Sequence, residues 1–365
     1  MNHIQEQIVK GTVFDLHLCE PTVHADNEAR DRSGHMSHAM ALTKTGKLLD
    51  FNSNCSAYRS NGHAAFGWVE YRISEDNGVT FSDPRPFPFS VTEFLNGRHT
   101  ISLEKAVCCD DNTVAAFLLH NSQKNPVSCE PWDAPLVSRS FDDGETWTDP
   151  VPMCQYPGRV YDARYKDGKI YVLENCNDAE VSFCCNKPEH QYRLFVSEDS
   201  GVTFREESVV DFGGSMDLAY GEILHRTDGS LVAYAYNIKD EKNLRYALSR
   251  DNGKTWCEHG LCYMDQQIRN PQINILEGQY ILFGRKTADY GAVIYTSADA
   301  LHWSEGTVLN EDNVSCYYSN TIVLDHPDRP GEKRLLVQFS ETYPHPEPRD
   351  WNASVNAMHM WIEKA

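Results

Sequence analysis

The chain has 365 residues, 41% of them hydrophobic, and a formal net charge of −20. That apolar share suits a globular protein with a core of its own. The acidic balance disfavours nonspecific binding to nucleic acid or an anionic membrane, since both need a basic surface. No apolar run approaches the ~18–20 residues of a membrane-spanning helix.

Predicted strands recur in pairs along the chain. Thr12–Leu18 comes first, with alternating apolar residues. His35–Leu42 and Leu48–Asn52 then flank the turn Thr45-Gly46. Arg98–Val107 and Val114–His120 flank Asp110–Asn112. Arg159–Tyr165 and Ile170–Glu174 flank Asp167-Gly168. Asp217–His225 and Leu231–Asn237 flank Asp228-Gly229. Arg269–Leu276 and Tyr280–Arg285 flank Glu277-Gly278. Tyr317–Leu324 and Leu335–Ser340 flank the Asp325–Gly331 loop, and Ala357–Ile362 ends the series.

Four copies of one turn, S-x-D-x-G-x-T-[WF], lie between these pairs. They run Ser74 to Phe81, Ser140 to Trp147, Ser197 to Phe204 and Ser249 to Trp256. A fifth, Ser297 to Trp303, keeps Asp299 but lacks the Gly and Thr. The aspartates recur at intervals of 66, 57, 52 and 48 residues, near the period of a propeller or another repeat array. Asp accepts hydrogen bonds from backbone N–H groups in such a turn, and Gly supplies the positive φ. The aromatic residue anchors the hairpin between blades. The repeat is a folding device on the outer rim, so its aspartates are not expected to hold a metal or do chemistry.

Repeated turns of this form are Asp boxes, and the chain from about Ser37 to Glu341 resembles the sialidase (neuraminidase) superfamily. The resemblance implies an all-β fold: one six-bladed β-propeller domain spanning 1–365. In it, Thr12–Leu18 supplies the outermost strand of the last blade and so closes the ring.

The ligand site of a propeller lies at one mouth of its channel, at the starts of the inner strands. These starts carry His35 and His38; Arg98, His99 and Glu104; Arg159, Tyr161, Asp162 and Arg164; Asp217, Tyr220 and Glu222; Arg269, Asn270 and Gln272; and Tyr317, Tyr318 and Asn320. Converging Arg, His, Tyr and carboxylate groups indicate a polar ligand. The family's three carboxylate-binding arginines and its acid/base aspartate find no match: His35-Met36-Ser37-His38 stands where the first arginine belongs, and Ala57–Trp68 contains no carboxylate. The family's tyrosine nucleophile does find one, at Tyr318, with Glu222 as the implied partner. A different set, Arg98, Arg159 and Arg269, is suited to gripping an acidic sugar.

The leading functional expectation is an exo-acting glycoside hydrolase on a small, acidic oligosaccharide. Tyr318, Glu222, Asp162 and His38 are its catalytic candidates. Arg98, His99, Arg159, Arg164, Tyr220, Arg269, Asn270, Tyr317 and His35 are its substrate-binding candidates. The alternatives are a lyase on a uronic-acid saccharide, run by His, Tyr and Arg, and a noncatalytic sugar-binding propeller. Neither a cofactor nor a metal is expected. His35 and His38 are spaced so that a strand points them to opposite faces. The adjacent pairs Cys108–Cys109 and Cys184–Cys185 lack the gap of a zinc knuckle. Met1–Lys10 has no signal-peptide pattern, so the 12 cysteines are read as free thiols and the location as cytoplasmic. The expected partner is a small saccharide, with no nucleic acid and no membrane.

Overall fold

The computed structural model describes residues 3–34, 38–57, 66–122, 131–286, 291–311, 315, 317–345 and 354–365. Strands dominate, and one helix, Pro88–Asn96, stands among the described residues. The strands form six antiparallel sheets. Their inner strands are Met40–Leu42, His99–Cys108, Gly158–Lys166, Leu218–His225, Arg269–Leu276 and Ser319–Asp325. Each touches the next, and the sixth touches the first, so the ring closes as a six-bladed β-propeller.

The middle strands read as continuous apolar runs because blades cover both of their faces. Leu231–Asn237 is an example: Leu231 through Tyr236 are all fully buried. Between blades the core is largely aromatic. Trp147 of blade two packs on Phe51, Tyr71 and Phe87 of blade one, and the Tyr71 hydroxyl donates to the Gly144 carbonyl at 2.8 Å.

The repeated turns share one hydrogen-bond pattern. In the first, Thr80 N and Ser74 Oγ donate to Asp76 Oδ1 at 2.8 and 2.7 Å, Thr80 Oγ1 donates to Asp76 Oδ2 at 2.6 Å, and Gly78 N donates to Ser74 Oγ at 2.8 Å. In the degenerate fifth copy, His302 Nδ1 takes the place of the threonine hydroxyl, 2.7 Å from Asp299 Oδ2.

The N-terminal segment completes blade six, with different bounds from those expected. Leu16–Leu18 pairs with the last strand, Val355–Lys364, and Gln7–Val9 adds one more strand outside it. Thr12–Phe14 is not strand, because its backbone N–H groups bind blade five side chains instead: Thr12 N donates to Thr296 Oγ1 and Val13 N to Gln279 Oε1. A further strand, Thr22–Ala25, pairs with the other end of Val355–Lys364.

Candidate active site at the channel mouth

A β-bulge recurs at one height in four consecutive inner strands. In blade two Glu104 is the extra residue, between the pairs Leu103–Leu118 and Lys105–Phe117. In blade three it is Tyr161, and in blade four Tyr220. In blade five Asn270 and Pro271 together oppose Gly284. Tyr220 and Asn270 take left-handed backbone, with φ of 43° and 51°, a conformation non-glycine residues pay strain to hold. A bulge re-aims a side chain that regular alternation would send elsewhere. Here the four bulges aim Glu104, Tyr161, Tyr220 and Asn270 into one small cavity that opens at its mouth. His38 of blade one and Tyr318 of blade six complete its wall.

Arg159 is 3% exposed and lies in this wall. Its Nε and Nη2 donate to Glu104 Oε2 at 3.0 and 2.8 Å, and its guanidinium carbon lies 5.2 Å from the ring centres of both Tyr161 and Tyr220. Burial works against its charge, and the Glu104 carboxylate more than offsets this, so Arg159 stays firmly cationic. The hydroxyls of Tyr220 and Tyr318 meet at 3.1 Å, with the Arg285 guanidinium 5.0 Å from the Tyr318 ring centre. Burial raises the Tyr161 hydroxyl well above its ordinary range, so it stays protonated. Four buried polar atoms of the cavity wall have no hydrogen-bond partner among the described residues: Glu104 Oε1, Tyr161 Oη, Asn270 Oδ1 and Ser319 Oγ. Buried polar atoms are seldom left so, and four around one cavity mark the place of a polar ligand or of ordered water.

A charged layer crosses the channel next to this cavity. Lys105 Nζ reaches Gln272 Oε1 at 2.7 Å, Asn320 Oδ1 at 3.0 Å and Asp162 Oδ1 at 3.2 Å. Arg164 bridges Asp162, at 2.9 Å, and Glu222. Burial opposes ionisation of Asp162, but Arg164 and Lys105 outweigh it and hold that carboxyl below its usual value. Burial, with the neighbouring Asp162 charge, pushes Glu222 upward. Asp162 and Arg164 line a second, separate cavity, to which Lys105 and Asn320 also contribute.

The structure therefore sorts the sequence candidates. Tyr318, His38, Arg159, Tyr220 and Asn270 share the mouth cavity. Asp162, Arg164 and Glu222 form the charged layer, and Glu222 lies with Arg164 and Lys105, where the sequence reading set it beside Tyr318. The bulge at Tyr220 explains the shift: it spends one position at the cavity and carries Glu222 into the next layer. The three arginines do not converge. Arg98 is exposed, just past the Gly97 that ends the helix. Arg269 turns to Glu241 and stands over Tyr236. Tyr317 is fully buried on the other side of its strand head, its hydroxyl donating to Glu341 at 3.1 Å. His99 sits at the start of its strand, held by Glu93 at 2.6 Å. His35 lies outside the described residues. Sequence reasoning missed Lys105 and Arg285. Lys105 had a signal, a lysine in the middle of a strand followed directly by the apolar Ala106 and Val107, a place a buried strand tolerates only with partners.

No protein-family model matches the chain, and no curated protein matches it. Solved structures do. A protein of unknown function from Dyadobacter fermentans is similar over 96% of this chain and 99% of its own, at a TM-score of 0.73 and 15% identity. A Hadza microbial sialidase is similar over 94% of this chain and 68% of its own, at 0.66 and 13%. The α-L-arabinanase of Penicillium chrysogenum, complexed with arabinobiose, is similar over 98% of each chain, at 0.57 and 13%. At these identities the likeness carries the fold alone: the chain is a six-bladed β-propeller.

Proposed function

We propose that this chain is a carbohydrate-active enzyme, an exo-acting glycoside hydrolase that takes the end of a small, acidic saccharide into the mouth cavity. The observation that carries the reading is the set of four unpartnered polar atoms around the paired Tyr220 and Tyr318 hydroxyls. A sugar offers hydroxyls at a density able to satisfy such a wall. Tyr318 is the nucleophile in this reading, with Tyr220 as the hydrogen-bond partner of its oxygen: that oxygen bonds to the anomeric carbon as the glycosidic C–O bond breaks, and its proton is relayed to the leaving oxygen. Water then displaces Tyr318 from the anomeric carbon, and the tyrosine takes back a proton. His38 and Glu104 are the wall residues able to carry the proton for the leaving oxygen. The guanidiniums of Arg159 and Arg285, against the two tyrosine rings, favour an acidic substrate. The sialidase and arabinanase neighbours support glycosidic chemistry by analogy of fold.

One observation favours a second reading. Glycosidases of the usual kind work with two carboxylates ~5–10 Å apart, whereas Glu104 is the only carboxylate among the described residues of this wall. A tyrosine pair with a histidine also suits β-elimination from a uronic acid, one group taking the proton beside the carboxylate and another protonating the departing oxygen. Incubation with panels of sialosides, glucuronides and arabinosides separates the readings. Release of reducing sugar without new ultraviolet absorbance supports hydrolysis. New absorbance from an unsaturated product means elimination. Binding without turnover on every panel overturns both and leaves a sugar-binding propeller.

The ten described cysteines are all free thiols, which supports a reducing, cytoplasmic setting. No helix among the described residues is long and apolar enough to cross a membrane.

A further inference from the structure

We propose that Glu104 and Asn270 select the substrate of the mouth cavity: each accepts a hydrogen bond from one edge of the terminal sugar ring, so that only a ring with free donors on opposite edges is held. The inference rests on the saccharide reading of that cavity.

Glu104 and Asn270 lie on opposite walls, because blades two and five stand opposite each other in the ring of six. Both are bulge residues of their inner strands, and both line the cavity. The channel between these blades is narrow. One position further along blade two, the Lys105 side chain crosses it unaided, and its Nζ meets Gln272 Oε1 of blade five at 2.7 Å and Asn320 Oδ1 of blade six at 3.0 Å. These three residues also line the cavity and close its floor. A sugar ring with its hydroxyls is of similar breadth to a lysine side chain, so one ring fills the gap above that floor and touches both walls.

The two walls offer acceptors. Arg159 Nε and Nη2 both donate to Glu104 Oε2, which leaves Oε1 buried and without a partner among the described residues. The oxygens of a carboxylate in an ion pair only accept. Asn270 is 5% exposed, and its Oδ1 is likewise buried without a partner. Pro271, next in the strand, has no N–H to give it. Both oxygens therefore need donors that the ligand must bring. The other two unpartnered atoms, Tyr161 Oη and Ser319 Oγ, belong to hydroxyls, which donate or accept as required and discriminate little. A carboxylate placed against Glu104 or Asn270 would set acceptor against acceptor, so the acid of the substrate lies along another edge of the ring.

The test is calorimetry on the full chain. Glucuronic acid, N-acetylneuraminic acid and arabinose are titrated first, then the monodeoxyfluoro derivatives of whichever binds, one position at a time. Fluorine is close to hydroxyl in size and cannot donate. Cyclohexanecarboxylate, a ring with an acid and no other donor, is the control and is expected not to bind. Two positions on opposite edges of the sugar are expected to lose roughly 10–100-fold in affinity on fluorination, because each loss leaves a buried acceptor unpaired. Glu104→Gln can keep its oxygen on Arg159 and turn its amide N–H to the cavity, so the penalty at one of the two positions is expected to vanish and the other to stay. Asn270→Leu is expected to remove the other penalty. Equal penalties at every position, penalties unchanged in Glu104→Gln, or binding of cyclohexanecarboxylate as tight as that of the sugar overturns the inference and leaves the cavity a ligand site of another selectivity. Binding of none of the three sugars overturns the saccharide reading, and the inference falls with it. Should Glu104→Gln fail to fold, the derivatives measured on the wild-type chain decide, since they need no variant.

Discussion

Tyr220 and Tyr318 bring their hydroxyls within 3.1 Å of each other from blades four and six, reaching across the channel past blade five. Neither ring has freedom to drift: Tyr220 sits in a bulge at positive φ, and the Tyr318 backbone N–H donates to Ser340 Oγ at 3.1 Å. Tyr318→Phe removes one oxygen and leaves this packing. It is expected to lower kcat by a factor of ~10² or more if that oxygen attacks or moves a proton, with ligand affinity by calorimetry little changed. Tyr220→Phe is expected to lower kcat by a smaller factor. Near-normal turnover in Tyr318→Phe would remove the tyrosine from the chemistry and leave His38 and Glu104 as the leading groups.

The Arg159–Glu104 pair spans blades three and two inside the wall of the same cavity. Arg159→Ala strands a buried carboxylate, which in other proteins costs ~3–5 kcal/mol. The double change Arg159→Met with Glu104→Gln removes both charges and is expected to regain much of that loss. Urea denaturation of the three proteins measures it. Equal destabilisation by the single and the double change would show that lost packing, not the stranded charge, sets the cost.

The blade count and most strand bounds were legible in the sequence because both rest on local chemistry. Arg269–Leu276 and Leu231–Asn237 are found with the bounds the apolar pattern predicts, and the Ser74–Phe81 turn and its three full copies carry their geometry in their own residues. The site was legible only as a set. A bulge costs one residue in one strand and leaves no mark in composition, so nothing in the sequence said that Tyr220 faces the cavity while Glu222 drops to Arg164. Thr12–Phe14 was misassigned for a related reason: its alternation is real, but its hydrogen bonds go to Gln279 and Thr296, more than 260 positions away in the chain.

Thiol titration of the denatured, unreduced protein is expected to find most of the 12 cysteines free, in line with the ten free thiols described. Several intact disulfides would place the protein in an oxidising compartment and overturn the cytoplasmic proposal.

Glu174 gives the protein a pH dependence of a definite sign. Its carboxyl is fully buried in blade three, with Cys154 Sγ 3.2 Å from Oε2. Burial pushes it from an ordinary 4.5 to about 8. Below about pH 4.5 the group is protonated in both folded and unfolded chains, and its contribution to stability is whole. As pH rises toward 8 the unfolded chain releases the proton while the folded chain keeps it. Stability therefore falls, by up to ~1.4 kcal/mol per pH unit, and the decline ends once the folded carboxyl also ionises. Glu174→Gln cannot ionise in either state, so its urea midpoint is expected to fall less than that of wild type between about pH 5 and about pH 8. Some slope remains, because burial pushes Glu222 and Glu341 in the same direction. If the two proteins lose stability in parallel across that range, Glu174 is ionised in the folded chain, and the blade must admit water or a cation to it.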